Sequence, residues 1–192
     1  MLTMSRFPRT LLVALSAVLM LLEAAGLSDA LDTSLVNEVL PNVSLKGRLQ
    51  RIIIDTPGSK GRDWLIDVAH NPAAAEVLAQ TLAAMKTDGE IAAIVGLLDD
   101  KDVEGVVSPL IPHVDRWIAM TADSHRAIAA NELARQISNL TGRACLVAES
   151  AAAAIESARR TASESDRILA TGSFLTVSPI LEQLTILSRT TS

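Results

Sequence analysis

The chain has 192 residues, 49% of them hydrophobic and 20% charged, with a formal net charge of −5. That length and apolar content suit one domain with a buried core and argue against a disordered chain. Aromatic residues are only 2%, with two Trp, two Phe and no Tyr. With a pI of about 5.2 and no basic run, this argues against both single-stranded and duplex nucleic acid as partners. The single cysteine, Cys145, excludes an internal disulfide framework and a CxxC zinc site, and points to a reducing compartment.

Taken in chain order, residues 11–22 form an apolar run behind Arg6 and Arg9. The run has the look of a signal peptide, and with Glu23 at its end it is too short to span a membrane. The other reading is a buried helix, since Leu11, Ala14, Leu15, Val18, Leu21, Leu22 and Ala25 follow helical spacing and Gly26 sits where a helix would stop. Residues 31–45 read as a short helix and connector, with Asp32 or Thr33 as cap and Pro41 closing it. The β-branched stretch around Ile52, Ile53 and Ile54 predicts a strand over 49–55. Residues 56–61 read as a turn and 64–69 as a second strand. Pro72 in His70-Asn71-Pro72 opens a helix that runs to Met85. Strands follow at 91–95, 116–120, 144–147 and 167–170, alternating with helices at 101–111, 127–140 and 150–161 and a final helix after 171–173.

From residue 64 onward strand and helix alternate, and the strands are solidly apolar. That is the pattern of a parallel sheet covered on both faces. The expected fold is therefore α/β: a Rossmann-like, open, mostly parallel sheet spanning 46–192, preceded by helices in 1–45. In such sheets ligands bind beyond the C-terminal strand ends, where the polar clusters of this chain fall: Asp67 with His70 and Asn71, then 99–102, 121–126 and 171–173.

No GxxxxGK[ST] or strand-following GxGxxG occurs, nor any HExxH or Ser-His-Asp order. Four other places carry candidate chemistry. His70 before a helix N-terminus suits a phosphate or ribose oxygen; alternatively Asp67 or Asn71 caps the helix and His70 is a satisfied loop residue. Arg48 is a phosphate clamp or a solvated edge residue. Lys101, among Asp99, Asp100 and Asp102, pairs with a substrate carboxylate or simply opens a charged helix. Ser173 meets a ligand or caps the last helix. Cys145 reads as inert core.

Four stretches carry a resemblance: Gly47-Arg48-Leu49-Gln50, Ile66-Asp67-Val68-Ala69-His70-Asn71-Pro72, Gly96-Leu97-Leu98-Asp99-Asp100-Lys101-Asp102 and Gly172-Ser173-Phe174. In order and spacing, over roughly residues 45–185, they resemble the C-terminal domain of bacterial folylpolyglutamate synthase/dihydrofolate synthase, in the Mur ligase superfamily. Residues 11–40 resemble the last helices of that family's central ATPase domain, which favours an unprocessed cytoplasmic chain over an exported one.

The resemblance implies a reaction: ATP, with Mg²⁺, phosphorylates a carboxylate of dihydropteroate or a folate, and the amine of glutamate attacks the acyl phosphate. By the same resemblance Arg48, Asp67 and His70 serve catalysis and, with Asn71, hold the nucleotide. Lys101 and Ser173 lie toward glutamate, and no residue of the chain ligates metal. The family's phosphate loop, Mg²⁺ ligands and folate site belong to an ATPase domain that these 192 residues do not contain. The chain alone is therefore expected to be inactive and to need that domain, in trans if necessary. The alternative is a non-catalytic Rossmann-like nucleotide- or carboxylate-binding module.

Overall fold

The computed structural model describes residues 18, 20–26, 46–56, 59–85 and 87–190. The backbone divides into two units, Met1–Ser44 and Leu45–Ser192. In the first, residues 18 and 20–24 are helical. Gly26, at φ 70°, donates to the Glu23 carbonyl at 3.0 Å, the left-handed stop expected there. Val18, Met20 and Leu21 are exposed. The remainder of the 11–22 run and the helix, cap and connector read over 31–45 lie outside the described residues.

The second unit opens with a hairpin, β1 (Gln50–Thr56) and β2 (Ser59–Ile66), paired antiparallel from Gln50↔Ile66 to Thr56↔Ser59. Strand β2 thus starts inside the stretch read as a turn, of which residues 57–58 lie outside the described residues. It also stops short of Ala69. The Val68 amide leaves the sheet ladder and donates to the Gly47 carbonyl at 2.9 Å.

Helix α1 (Pro72–Ala84) follows. Pro72 occupies its first turn, and the Asn71 side chain accepts from the Ala74 amide at 2.9 Å. Strand β3 (Ile91–Val95) leads to a short helix, α2 (Val103–Val107), and a 3₁₀ turn, Ser108–Leu110. The single helix read over 101–111 breaks there because Pro109 has no amide to donate and crowds the preceding turn. After β4 (Arg116–Met120), α3 (Ala130–Thr141) begins later than the sequence pattern suggests. Ala127 forms a β-bridge with Leu98, and the Ile128 amide donates to the Leu97 carbonyl at 2.9 Å. Strand β5 (Cys145–Ala148), helix α4 (Ala151–Thr161), strand β6 (Arg167–Thr171) and helix α5 (Phe174–Thr190) complete the chain.

The six strands lie in the order β1-β2-β6-β3-β4-β5, and every pair beyond the hairpin is parallel. Pleating sends successive side chains to opposite faces, and here both faces are apolar. Leu65, Ala93, Trp117 and Leu169 meet Leu78, Leu82, Val106, Leu133 and Ile137 from α1, α2 and α3. Trp64, Ile66, Ile94, Ile118 and Ile168 meet Ala154, Ile155, Ile180 and Leu184 from α4 and α5. Each fully buried Leu or Ile contributes roughly 1.5–3 kcal/mol. Strand β5 departs from the expectation of burial on both faces. It is the sheet's edge, its Leu146 and Val147 are about 40% exposed, and Cys145 is only partly buried. Burial nonetheless pushes the Cys145 thiol up to about 11, so it is an unreactive thiol at neutral pH.

Candidate functional site

The chain runs outward through β2, β3, β4 and β5, then returns to lay β6 between β2 and β3. The order reverses at β6, so a crevice falls beyond its C-terminal end. Across that edge the loops follow the strand order: residues 67–71 after β2, 172–173 after β6, 96–102 after β3 and 121–129 after β4.

On the β2 flank, Arg48 stands between two fastened residues. Gly47, at φ 71°, accepts from Val68 through its carbonyl, and its amide donates to Gln50 Oε1 at 3.0 Å. Leu49, at φ 46°, is the one non-glycine residue with positive φ among the described residues, a conformation that costs energy unless its surroundings hold it. Asp67 does the holding: Oδ2 accepts from the Leu49 amide and Oδ1 from the Ala69 amide, both at 2.9 Å. Burial raises the Asp67 pKa, and those amides with the charges of Arg48 and His70 offset only part of the rise. Arg48 itself is exposed, with its guanidinium 5.8 Å from the centroid of the exposed Phe174 ring. His70 Nδ1 lies 2.9 Å from the Val68 carbonyl. A carbonyl only accepts, so Nδ1 carries the proton and Nε2 is left for another partner.

At the centre, the Ser173 hydroxyl is buried. It accepts from the Thr176 amide at 3.1 Å and shares a hydrogen bond with Thr176 Oγ1, which donates in turn to the Gly96 carbonyl at 2.8 Å. Gly172, at φ 117°, lies against Gly96: a Cβ there would sit 2.2 Å from the Gly96 oxygen. The ends of β6 and β3 are therefore locked, and only glycine fits between them.

On the β3–β4 flank, Lys101 Nζ bonds Asp100 Oδ2 at 2.9 Å. The same oxygen takes Arg126 Nη2 at 3.1 Å, and Arg126 Nε lies 3.6 Å from Asp99 Oδ1. The Asp123 amide donates to the Leu175 carbonyl at 3.3 Å, tying this loop to the start of α5 beside Ser173.

The structure thus brings Arg48, Asp67, His70 and Asn71 together on one flank, Ser173 in the middle and Lys101 on the other flank. Both capping readings have an answer. Asn71, not Asp67, caps α1, and Ser173 caps α5. Residues to which the sequence reading gave no role are Thr176 and Arg126, and Phe174 entered it only within the Gly172-Ser173-Phe174 stretch. Arg126 lay inside the 121–126 cluster, but nothing local in the sequence joins it to Asp99 and Asp100. Exposed Arg48 and the free ring nitrogen of His70 suit the phosphates and sugar of a nucleotide. Among the described residues no three His, Cys, Asp or Glu side chains group as metal ligands.

Residues 47–174 match the model of the Mur ligase glutamate ligase domain. The dihydrofolate synthase/folylpolyglutamate synthase of Escherichia coli K12 is 32% identical over 161 residues, 84% of this chain and 35% of that protein. That of Buchnera aphidicola subsp. Baizongia pistaciae is 30% identical over 166 residues, 86% of this chain and 37% of that protein. The chain therefore spans little more than a third of these relatives. Among solved structures, E. coli FolC in complex with DHPP and ADP superposes with a TM-score of 0.68 at 29% identity, over 81% of this chain and 35% of that one. A bifunctional folylpolyglutamate synthase/dihydrofolate synthase with Mn, AMPPNP and L-glutamate bound gives 0.64 at 30% identity, over 74% and 32%.

Proposed function

The chain belongs to the Mur ligase glutamate ligase domain family, and on that premise we propose that it is the C-terminal part of an ATP-dependent ligase joining glutamate to dihydropteroate or a folate. The observation that carries this reading is the order of groups along the strand-end edge. An exposed guanidinium on a fastened main-chain turn and a His lie on the β2 flank, a locked serine turn lies at the centre, and an ammonium lies on the β3 flank. Phosphoryl transfer followed by amine attack requires cations at both ends of the reacting line, held without reorganisation.

In this reading ATP supplies the phosphoryl group that activates the acceptor carboxylate. Arg48 stabilises the charge that develops on the transferred group, and its guanidinium geometry suits phosphate oxygens. Asp67 acts through Arg48: its carboxylate fixes Leu49, and with it the direction of the Arg48 loop. His70 presents Nε2 to the nucleotide beside the capped N-terminus of α1. Lys101 takes a carboxylate of the incoming glutamate. The Ser173 turn fixes the spacing between the two flanks. Binding ATP, Mg²⁺ and the pteridine substrate falls to a segment bearing the phosphate loop, and catalysis needs that segment in cis or in trans. Among the described residues no helix is long and apolar enough to cross a membrane. The cytoplasmic location we propose rests on the family membership alone.

A mixing assay tests the reading. Residues 1–192 are combined with the ATPase domain of a folate ligase, and ADP release is followed with glutamate and dihydropteroate present. Turnover only in the mixture supports the proposal. Turnover by residues 1–192 alone would overturn this division of labour, and none in either case would favour a non-catalytic nucleotide- or carboxylate-binding module. Within an active mixture Arg48→Ala should lower kcat by the equivalent of about 2–4 kcal/mol. Asp67→Ala and His70→Ala should follow it, and Lys101→Ala should chiefly raise the KM for glutamate. Arg143→Ala should do little, because its guanidinium donates to the Val114 carbonyl at 2.8 Å, ahead of β4 and away from this edge.

A further inference from the structure

Arg126 has no assigned role, and its surroundings are unusual for a structural ion pair. The loops that carry Arg126 and Asp99 are already joined by main chain. The Asp99 amide donates to the Arg126 carbonyl at 2.8 Å, Leu98 and Ala127 form a β-bridge, and the Ile128 amide donates to the Leu97 carbonyl. Ion pairs added on top of that stitching, on side chains near half exposed, add little to the hold. Yet they bring a second cation to the Asp100 oxygen that Lys101 occupies. Two cations on separate loops therefore converge on one carboxylate, on the flank where the Ser173 turn meets the Asp123 amide through Leu175.

Resting on the ligase reading above, we infer that Arg126 is the second cation of the amino-acid site and, with Lys101, selects a dicarboxylic amino acid, its guanidinium being parked on Asp99 and Asp100 until the substrate arrives. Three points support this. Glutamate brings two carboxylates, and Lys101 alone matches one. Arg48 sits across β6 on the opposite flank and is committed to phosphate, so it cannot supply the second cation. Asp100 is exposed and adjacent to both cations, so a substrate carboxylate can displace it by exchange without burying a new charge. Arg126 then gives the fork geometry that a carboxylate accepts through two oxygens, while Lys101 acts as a point charge.

The experiment is an NMR titration of the ¹⁵N-labelled 192-residue chain with L-glutamate and, separately, L-glutamine at constant ionic strength. Glutamine keeps the α-carboxylate and shape but loses the side-chain charge. In the parent chain, glutamate should shift the amides of 99–102, 121–128 and 172–175 and bind about five- to tenfold more tightly than glutamine. R126Q should bring the ratio close to one, whereas R135Q, which removes a cation paired with Glu132 on α3, should leave it unchanged. A general loosening of the loops by R126Q would weaken both ligands alike, so the ratio keeps the inference testable even then. R126Q with an undiminished preference for glutamate would overturn the role of Arg126 and leave the ligase reading standing. No glutamate-dependent shift anywhere on this edge at about 100 mM ligand would overturn the inference and count against the ligase reading as well.

Discussion

The two ends of the sheet handle charge in opposite ways. At the N-terminal strand edge the charges consume one another. Asp63 takes Arg51 at 2.8 Å from one side and Arg167 at 2.7 Å from the other. Asp166 takes Arg116, the Ser163 hydroxyl and amide, and the Glu90 amide. A cleft of about 500 Å³ opens there beside Thr87 and Asp88, but the arginines on its wall are already paired with Asp63. At the C-terminal edge the main chain satisfies itself through Asp67, Ser173 and Thr176, and that leaves Arg48 and His70 near the surface, with Lys101 and Arg126 held only in solvent-facing ion pairs to Asp99 and Asp100. One edge spends its charge on folding, and the other spends backbone hydrogen bonds to keep side chains available.

The contrast can be attacked from both ends. The largest effect is expected at the lock between β6 and β3. Gly172→Ala puts a methyl group into the Gly96 oxygen at a φ that side chains rarely adopt, and should cost roughly 3–4 kcal/mol. Thermal denaturation should record a drop of about 6–15 °C. Asp63→Ala comes next, because it removes the carboxylate shared by Arg51 and buried Arg167. A loss of about 3 kcal/mol in urea unfolding is expected.

A smaller effect follows from pH. Burial alone would raise Asp166, but the hydrogen bonds from Ser163, Arg116 and Glu90 outweigh it and bring the carboxyl to about 2. A depressed pKa stabilises the fold above the unfolded value near 4 and loses that contribution as pH falls toward 2. Asp166→Asn should therefore remove about 1–2 kcal/mol at pH 7, allowing for water at the rim of the cluster, and flatten the parent's stability loss between about pH 4 and 2. The smallest effect should come from the other edge: Arg48→Ala and Lys101→Ala should leave the midpoint of unfolding within about 0.5 kcal/mol of the parent. A stability loss there as large as that of Asp63→Ala would erase the distinction between the two edges.

How much of this was legible before the structure depended on distance along the chain. Apolar runs flanked by turn residues announced β3, β4 and β6, since a strand buried on both faces cannot alternate with polar residues. The Pro72 start was local as well, and local spacing narrowed the cap to Asp67 or Asn71, between which the structure decides for Asn71. The polar clusters were also rightly grouped at one edge, because parallel strands place every strand end on the same side. What was not legible lies between distant residues. Asp67 looked like a cap or a ligand; that it holds Leu49 depends on β1 and β2 folding into a hairpin. Arg126 looked like one charge in a polar loop, and its meeting with Asp100 depends on β3 and β4 being neighbours. Strand β5 read like its siblings, because nothing in Cys145-Leu146-Val147 says that no strand follows beside it.

The place of β6 has a consequence for how the molecule comes into being. Without residues 167–171 the sheet is two separate pieces, the β1–β2 hairpin and the β3–β4–β5 trio, which share no ladder. On the ribosome the strand that joins them emerges last, so neither piece can complete its edge until nearly the whole domain has been made. Until then the two flanks of the site, Arg48 with Asp67 and Lys101 with Arg126, have no fixed separation. The same late strand that closes the core also sets the distance between the two groups of cations.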